Sequence, residues 1–511
     1  MSLGTTAAVA LDGLVGHVVE VQAQLAFTVP GFALIGLPDA ALVEAKDRVR
    51  AAVLSRRLEW PNRKITVNLS PAALPKTGTA FDLAIAVAIL VGARVIPDRI
   101  QRVVHLAELG LDGRLQPVRG ILPMVAAAVA AGFTEVVVAT ASVAEANLVP
   151  GANIQGADTL SDVVALHGGT PPACPPLPQA KAPRVIARQL KPTDMSDVIG
   201  QEIPKLALEI AAAGGHHLLL SGPPGAGKTM LAERLPGILP NLTEQEAVEV
   251  TSIHSVAGTF DPGSGLVTRP PFEDPHHTAT PAAIVGGGSG IPRPGAASRA
   301  HCGVLFLDEA PEFSSRVLEA LRQPLEHGEL VIQRGGGMAR FPARFQLVLA
   351  ANPCPCGMGG GKGLKCTCTP LAQRRYFAKL SGPLLDRVDL QVQVDPVGRA
   401  GLTGLSDRAE VSSEQVAARV AMARTLAASR LRGTPWHLNS QVSGRWLRER
   451  YQKRPEITRE LYRALDAGVI SLRGADRVLR IAQTVADLGQ REFPTAADAG
   501  LAMLLRTGRS Y

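Results

Sequence analysis

Three groups of residues near the middle of this 511-residue chain have the types and spacing that chemistry needs. The first lies in LLLSGPPGAGKT, 218–229. An apolar run, Leu218 to Leu220, stops at a loop of Gly222, Pro223, Pro224, Gly225, Ala226 and Gly227, and Lys228, Thr229 and Met230 open a helix-like stretch. G-x-x-x-x-G-K-[ST] between a strand and a helix is a phosphate-binding P-loop, whose glycines let backbone N–H groups wrap a polyphosphate. Lys228 then reaches the β- and γ-phosphates of ATP, and the Thr229 hydroxyl binds Mg²⁺. The second group closes another apolar strand, VLFLDE, 304–309. Acidic residues there are costly without a cation nearby. Asp308 is expected to hold Mg²⁺ through water, and Glu309 to orient or deprotonate the attacking water. A third buried strand, FQLVLAAN, 345–352, ends in Asn352, a polar amide aimed at the same site or a turn former before Pro353.

The third group is sulfur. Four of the six cysteines, Cys354, Cys356, Cys366 and Cys368, are spaced C-x-C, nine residues, C-x-C. Alternate residues of a strand share a face, so two such pairs joined by a glycine-rich loop bring four thiolates together. Tetrahedral Zn²⁺ is the first reading, although the spacing departs from the usual C-x₂₋₄-C. Free thiols and disulfides are the alternatives.

The elements that position these groups follow from pattern. Residues 1–167 read as an α+β or α/β unit, with VAL, HVVEVQAQL, FALIGL, KITVNL and VVVAT as strands and Ala40–Leu54 and Phe81–Ala93 as helices. Residues 168–192, GGTPPACPPLPQAKAPRVIARQLKP, are proline-rich without apolar periodicity and read as a linker. Residues 193–396 hold the P-loop unit, with a parallel sheet expected. Residues 397–511 read as helices, with Ser412 and Glu414 at a helix start.

Charge sharpens this division. The net charge is +8, and residues 397–511 hold 19 Lys and Arg against 11 Asp and Glu, so the excess falls in the last unit. That suits a nucleic-acid or other polyanion partner, or a solvated basic face. The longest apolar run, Leu83 to Ala93, is too short to span a bilayer, and no basic segment precedes an apolar one at the N-terminus. A cytoplasmic protein without a membrane partner is expected.

Residues 30–53, PGFALIGLPDAALVEAKDRVRAAV, and 65–90, ITVNLSPAALPKTGTAFDLAIAVAIL, resemble the N-terminal domain of magnesium-chelatase-like AAA+ ATPases of the ComM/YifB type. That domain is similar in fold to the Lon protease domain. Ala80 stands where the Lon-type serine would be and Met124 where its lysine would be, so no peptidase activity is expected. Thr79 has no lysine at the matching position.

The resemblance runs through nearly the whole chain. It implies that Val198 and Ile199 pack beside adenine or in the core, and that Asn352 is sensor 1. RPPFEDPHHT and AIVGGGSGIPRPG resemble a helix-2 insert, with His276 and His277 in a family motif rather than a metal site. GELVIQRGGGMARFPARF resembles a pore hairpin whose tip is flanked by Arg334 and Arg340. It further implies that Arg387 is an arginine finger acting on a neighbouring subunit, the alternative being a salt bridge to Asp386 or Asp389. Among Arg473, Arg477 and Arg480, Arg473 matches sensor 2. A homo-hexameric DNA translocase or branch-migration helicase, serving recombination or natural transformation, is the implied function. The alternative is a chelatase-type or protein-remodelling ATPase without DNA activity.

Overall fold

The computed structural model describes residues 2–175, 177, 193–288, 292–334, 337–359, 366–396 and 411–507. In the first unit the strands are β1 (Ser2–Asp12), β2 (Val15–Ala26), β3 (Gly31–Ile35), β4 (Lys64–Ser70), β5 (Val103–Leu106), β6 (Glu108–Leu109), β7 (Leu115–Gln116), β8 (Glu135–Ala139) and β9 (Asn153–Ala157). β1 and β2 form a long antiparallel hairpin, in register from Ser2↔Leu25 to Asp12↔Val15. Seven strands make one mixed sheet, ordered β3-β4-β2-β1-β5-β8-β9, while β6 and β7 pair separately. The helix Asp82–Gly92 is buried along its whole length against β1 and β2, which is why it reads as apolar on every side.

Two expectations change here. The short VAL strand is part of the longer β1, whose Thr and Ala residues blur the alternation. The helix expected over Ala40–Leu54 is two, Ala40–Val43 and Ala45–Ser55, because Glu44 O accepts the N–H groups of Asp47 and Arg48 and restarts the turn.

The second unit adds β10 (Leu218–Ser221), β11 (Phe272–Glu273), β12 (Gly286–Gly287), β13 (Arg293–Pro294), β14 (Val304–Leu307), β15 (Glu329–Arg334), β16 (Gly337–Pro342), β17 (Gln346–Ala351) and β18 (Leu390–Gln393). Five of them form a parallel sheet, ordered β11-β14-β17-β10-β18. Apolar clusters cover both faces, so β10, β14 and β17 are unbroken apolar runs rather than alternating ones. β12–β13 and β15–β16 are separate two-stranded ribbons.

The last unit is helical: Ser413–Arg430, Gly444–Tyr451, Pro455–Asp466, Leu472–Leu488 and Ala496–Thr507. Ser412 caps the first of these, with Gln415 rather than Glu414 completing the capping box. Its core is not its own. One apolar cluster joins Leu220, Val304 and Val348 of the sheet to Val416, Leu447, Leu479 and Met503 of the helices. Some of its arginines are held in internal pairs, among them Arg430–Asp487, Arg448–Asp476 and Arg491–Asp498.

The first unit grips the second. Its helix Ile121–Ala130 packs on the helix Glu244–Ala257. Glu145 Oε1 accepts Leu122 N within the first unit and Ser255 Oγ across that contact. Leu11 and Leu14 pack with Val256, Ile332, Ala339 and Phe341 at the β15–β16 ribbon.

Candidate active site

Parallel strands present their C-terminal ends together, and α/β sheets bind ligands there. β10 leads into the P-loop, β14 into Asp308 and Glu309, and β17 into Asn352, with β17 lying between β10 and β14. The loop turns closely. A side chain at Gly222 would run into Val394 O, and Gly227 sits at φ 93° where glycine is unstrained. Gly227 caps the helix Lys228–Ile238 without a side-chain bond, so first-turn N–H groups remain for an anion. Met230 lies half-buried against the adjoining core.

Lys228 Nζ donates to Gly222 O at 2.7 Å, Pro223 O at 3.0 Å and Asn352 Oδ1 at 3.0 Å. Three neutral acceptors thus hold the ammonium where phosphate oxygens can replace them. Burial pushes Lys228 below its ordinary lysine range, and the Asp308 and Glu309 carboxylates pull it back. Thr229 Oγ1 donates to Asp308 Oδ2 at 2.7 Å, so the hydroxyl and carboxylate expected to share Mg²⁺ already meet. The other oxygen, Asp308 Oδ1, accepts Glu309 N at 2.9 Å.

Glu309 adopts φ 50°, ψ 44°. A left-handed backbone is uncommon for a residue with a side chain and costs on the order of 1–2 kcal/mol. It turns the carboxylate away from the strand axis to within 3.3 Å of His277 Nδ1.

A second cluster lies around Arg387. Its guanidinium pairs with Glu326 and donates to Pro383 O at 2.5 Å. Neither Asp386 nor Asp389 is the partner, because Asp389 is taken by His216 at 3.1 Å and by Arg477. Arg477 Nη1 also donates to Arg387 O at 3.2 Å, and Arg480 Nε to Val442 O at 2.7 Å. Arg473 is exposed at the first turn of its helix. Burial lowers the Arg387 pKa, and the positive charges of Arg322, Arg477 and Arg473 lower it further, so four arginines crowd one region.

The four clustered cysteines also meet. Sγ atoms of Cys354, Cys356, Cys366 and Cys368 lie within 4.8 Å of one another. Cys354 is 3.3 Å from Cys356 and 3.7 Å from Cys366, and Cys356–Cys366 is 3.7 Å. Zinc with bonds of about 2.3 Å to four sulfurs sets edges of about 3.8 Å, so the donor set fits. A side chain at Gly357 would run into Pro224, which places this knuckle against the P-loop. A second group, Glu249, His301 and Cys302, is of metal-binding type, but His301 Nδ1 accepts Arg344 N and the Arg344 guanidinium lies 3.0 Å from Glu249. A cation is already in place there.

Other expected residues fall differently. Val198 is fully buried core, and Ile199 is half-buried beside it. Arg334 pairs in register with Gly337 at the end of the β15–β16 ribbon, whereas Arg340 pairs with Val331 nearer its base. Arg340 lies beside Gly13 of the first unit and 3.5 Å from Glu329, because the strand runs three residues past the tip before reaching it. The side chain of Arg334, and Gly335 and Gly336, lie outside the described residues. Ala80 and Met124 are buried apolar positions. Thr79 Oγ1 donates to Glu108 Oε2 at 2.5 Å. Sequence reasoning missed Arg322, Glu326 and the His277–Glu309 contact; for the last, the only signal was the His-His pair at 276–277.

Three family profiles match the chain in order: "Subunit ChlI of Mg-chelatase" over 19–142, "Magnesium chelatase, subunit ChlI" over 194–402, and "Magnesium chelatase, subunit ChlI C-terminal" over 410–506. An uncharacterized protein of Mycobacterium tuberculosis is 48% identical over 99% of both chains. Competence protein ComM of Haemophilus influenzae is 40% identical over 98% of this chain and 97% of its own. Uncharacterized protein YifB of Escherichia coli is 38% identical over 97% and 95%. With near-complete coverage by such relatives, and the P-loop, acidic strand end and amide strand end in one parallel sheet, the chain belongs to the magnesium-chelatase-like ComM/YifB family, of AAA+ type.

Proposed function

We propose that this protein is a cytoplasmic, Mg²⁺-dependent ATPase that works as a homo-hexameric ring and moves along single-stranded or branched DNA in recombination or natural transformation. The observation that carries the ATPase reading is the meeting of Lys228 with Asn352 and of Thr229 with Asp308 at neighbouring strand ends. Lys228 exchanges its carbonyl partners for β- and γ-phosphate oxygens, and Thr229 and Asp308 open to hold the metal. Mg²⁺ bound with the nucleotide neutralises phosphate charge. Glu309 takes the proton of the attacking water while Asn352 orients the γ-phosphate side. Arg387, with Arg473 and Arg322 close by, reaches the nucleotide of an adjacent subunit and stabilises charge in the transition state. Burial and three neighbouring arginines disfavour the Arg387 charge, and an incoming phosphate would relieve this beyond what its partner Glu326 supplies.

The DNA reading rests on the relative named competence protein, on the basic last unit and on the β15–β16 ribbon. In this reading the helical unit is the lid of the AAA+ core. Residues 1–167 are a Lon-like domain without peptidase activity, which buried Ala80 and Met124 support. The four-cysteine knuckle holds structural Zn²⁺, for which its sulfur spacing is suited.

ATP hydrolysis by the full chain, with and without single-stranded, duplex and four-way-junction DNA, tests the proposal, with Lys228→Ala as background. Stimulation by one DNA form supports a DNA motor and identifies its substrate. Hydrolysis indifferent to every DNA form favours a chelatase-type or protein-remodelling ATPase, the second reading, which the chelatase-subunit profiles support.

A further inference from the structure

Two of the chain's three tryptophans lie together in the last unit, in a protein whose aromatic content is only 4%. Trp436 and Trp446 meet edge to face with ring centroids 6.1 Å apart. Trp446 lies on the helix Gly444–Tyr451, where Arg450 follows one turn later, and i, i+4 neighbours on a helix touch. Arg450 Cζ is 5.5 Å from the Trp446 ring centre and 4.5 Å from that of Phe493. Arg454 Cζ in turn is 3.8 Å from the Phe493 ring centre. Rings and guanidinium groups thus run in series along one surface of the helical unit.

A cleft of about 350 Å³ follows this series, lined by Trp446, Glu449, Arg450 and Phe493. Sites for small ligands begin at about 300 Å³, so one flat group can be held there. Trp446 and Phe493 are half-buried, packed in part against the apolar core, with the rest of each ring accessible. Arg450 Nε is buried with no hydrogen-bond partner among the described residues. A buried donor left that way is costly and calls for an acceptor. The nearby acids leave the need unmet. Glu449 is held by Arg445 at 2.8 Å, Glu456 lies 3.6 Å from Arg454, and Glu492 is 3.4 Å from Arg450 Nη2. Exposed pairs of this kind are weak, and an incoming phosphate can displace them. Residues 444–456 hold five Lys and Arg against two Glu, and arginines already sit over the rings, so an anionic ligand is favoured over a cation.

We propose that this cleft is a stacking site for an unpaired base of single-stranded DNA. A base offers its π-face to Trp446 or Phe493 and a ring or carbonyl acceptor to the Arg450 N–H, while its phosphate meets the surrounding arginines. Duplex DNA cannot use the cleft, because its base faces are covered by stacked neighbours and only the edges are open. The inference rests on the DNA reading above and names where the last unit grips the strand, on a different element from the β15–β16 ribbon.

The test measures, by fluorescence anisotropy, binding of labelled oligo(dT) and of a duplex of equal length to the full chain with a non-hydrolysable ATP analogue present. Wild type is compared with Trp446→Leu, Phe493→Leu and Trp446→Phe. Leucine keeps apolar bulk against the core but has no π-face, whereas phenylalanine keeps a ring. Losing one stacked base costs about tenfold in affinity. The expected result is a loss of that size for oligo(dT) in both leucine variants, no change for duplex, and binding close to wild type in Trp446→Phe. Oligo(dT) should also quench the tryptophan emission of the unmutated chain. That quenching decides the matter if urea unfolding shows the leucine variants to be destabilised. Undiminished oligo(dT) binding by stable leucine variants, equal losses for single strand and duplex in them, or wild-type binding without quenching each overturns the cleft and leaves the DNA reading standing. Absence of binding to either DNA by wild type refutes the DNA reading and the cleft with it.

Discussion

Replacing Asp389 with asparagine removes a buried anion that ties the parallel sheet to the helical unit. Asp389 precedes β18, its side chain is 3% exposed, and it faces His216 at 3.1 Å and Arg477. Burial alone would raise its pKa, but the hydrogen bond and charge of His216 and the charge of Arg477 overcome it and hold the carboxyl well below the usual range. Asp389→Asn keeps the shape and loses the charge. Arg477, 15% exposed, keeps Arg387 O as a neutral acceptor but loses its anion. Breaking a buried pair by removing one partner costs about 3–5 kcal/mol.

The pH dependence gives a second signature. A carboxylate with a depressed folded-state pKa contributes stability above its unfolded pKa of about 3.9, and that stability is lost as pH falls toward the folded value. Urea unfolding of wild type and variant should therefore differ by about 3–5 kcal/mol at pH 7. Between pH 5 and pH 3 the gap should narrow by about 1 kcal/mol. A difference below about 1 kcal/mol at pH 7, or a gap that does not change with pH, refutes the reasoning.

Other outcomes follow from the same geometry. Arg387→Ala should abolish most hydrolysis while retaining ATP binding, measured as kcat against labelled-nucleotide affinity, and unaltered kcat would remove Arg387 from the transition state. Metal analysis of protein purified without chelator should find about one zinc per chain, and Cys366→Ser should lose it and weaken ATP binding through the Gly357–Pro224 contact; zinc well below one per chain in wild type counts against the site. Burial pushes His217 down to about 4, and its Nδ1 accepts Leu347 N at 3.0 Å, joining β10 to β17. A histidine kept neutral in the fold costs stability as pH falls from about 6.5 toward that value, so unfolding monitored from pH 7 to 4.5 should show a decline that His217→Gln reduces.

The parts of the site that were legible in the sequence are those whose chemistry is local. A P-loop needs its glycines, lysine and threonine within one turn, so their spacing carries the geometry. Asp308 and Asn352 were readable because a polar residue closing an apolar strand of a buried sheet needs a ligand or a partner to offset its desolvation. Their order along the chain, with β10, β14 and β17 each delivering one group, could be anticipated; that β17 lies between the other two could not be taken from any one segment. The long β1 was underestimated for a related reason, since Thr and Ala on it are buried by neighbours from elsewhere in the chain, not by any periodicity of their own.

The contacts left unread join residues far apart in sequence. For Arg387, expected as an arginine finger, the alternative was a salt bridge to Asp386 or Asp389; the partner within this chain is instead Glu326, because the helix Arg322–His327 and the turn before β18 converge only once the sheet is assembled. Asp389, two residues along the chain, was already committed to Arg477 of the last unit. His277 faces Glu309 because β11 joins the sheet beside β14, a pairing made by a two-residue strand that no pattern announces. These three contacts have a common physical origin. Each is made by a flexible charged or polar side chain at the rim of the parallel sheet, where the backbone is fixed by the core but the partner is supplied by an insert or a following unit. Chemistry that needs a stable scaffold can be encoded in one motif, whereas a contact between distant segments is encoded only in the two of them together.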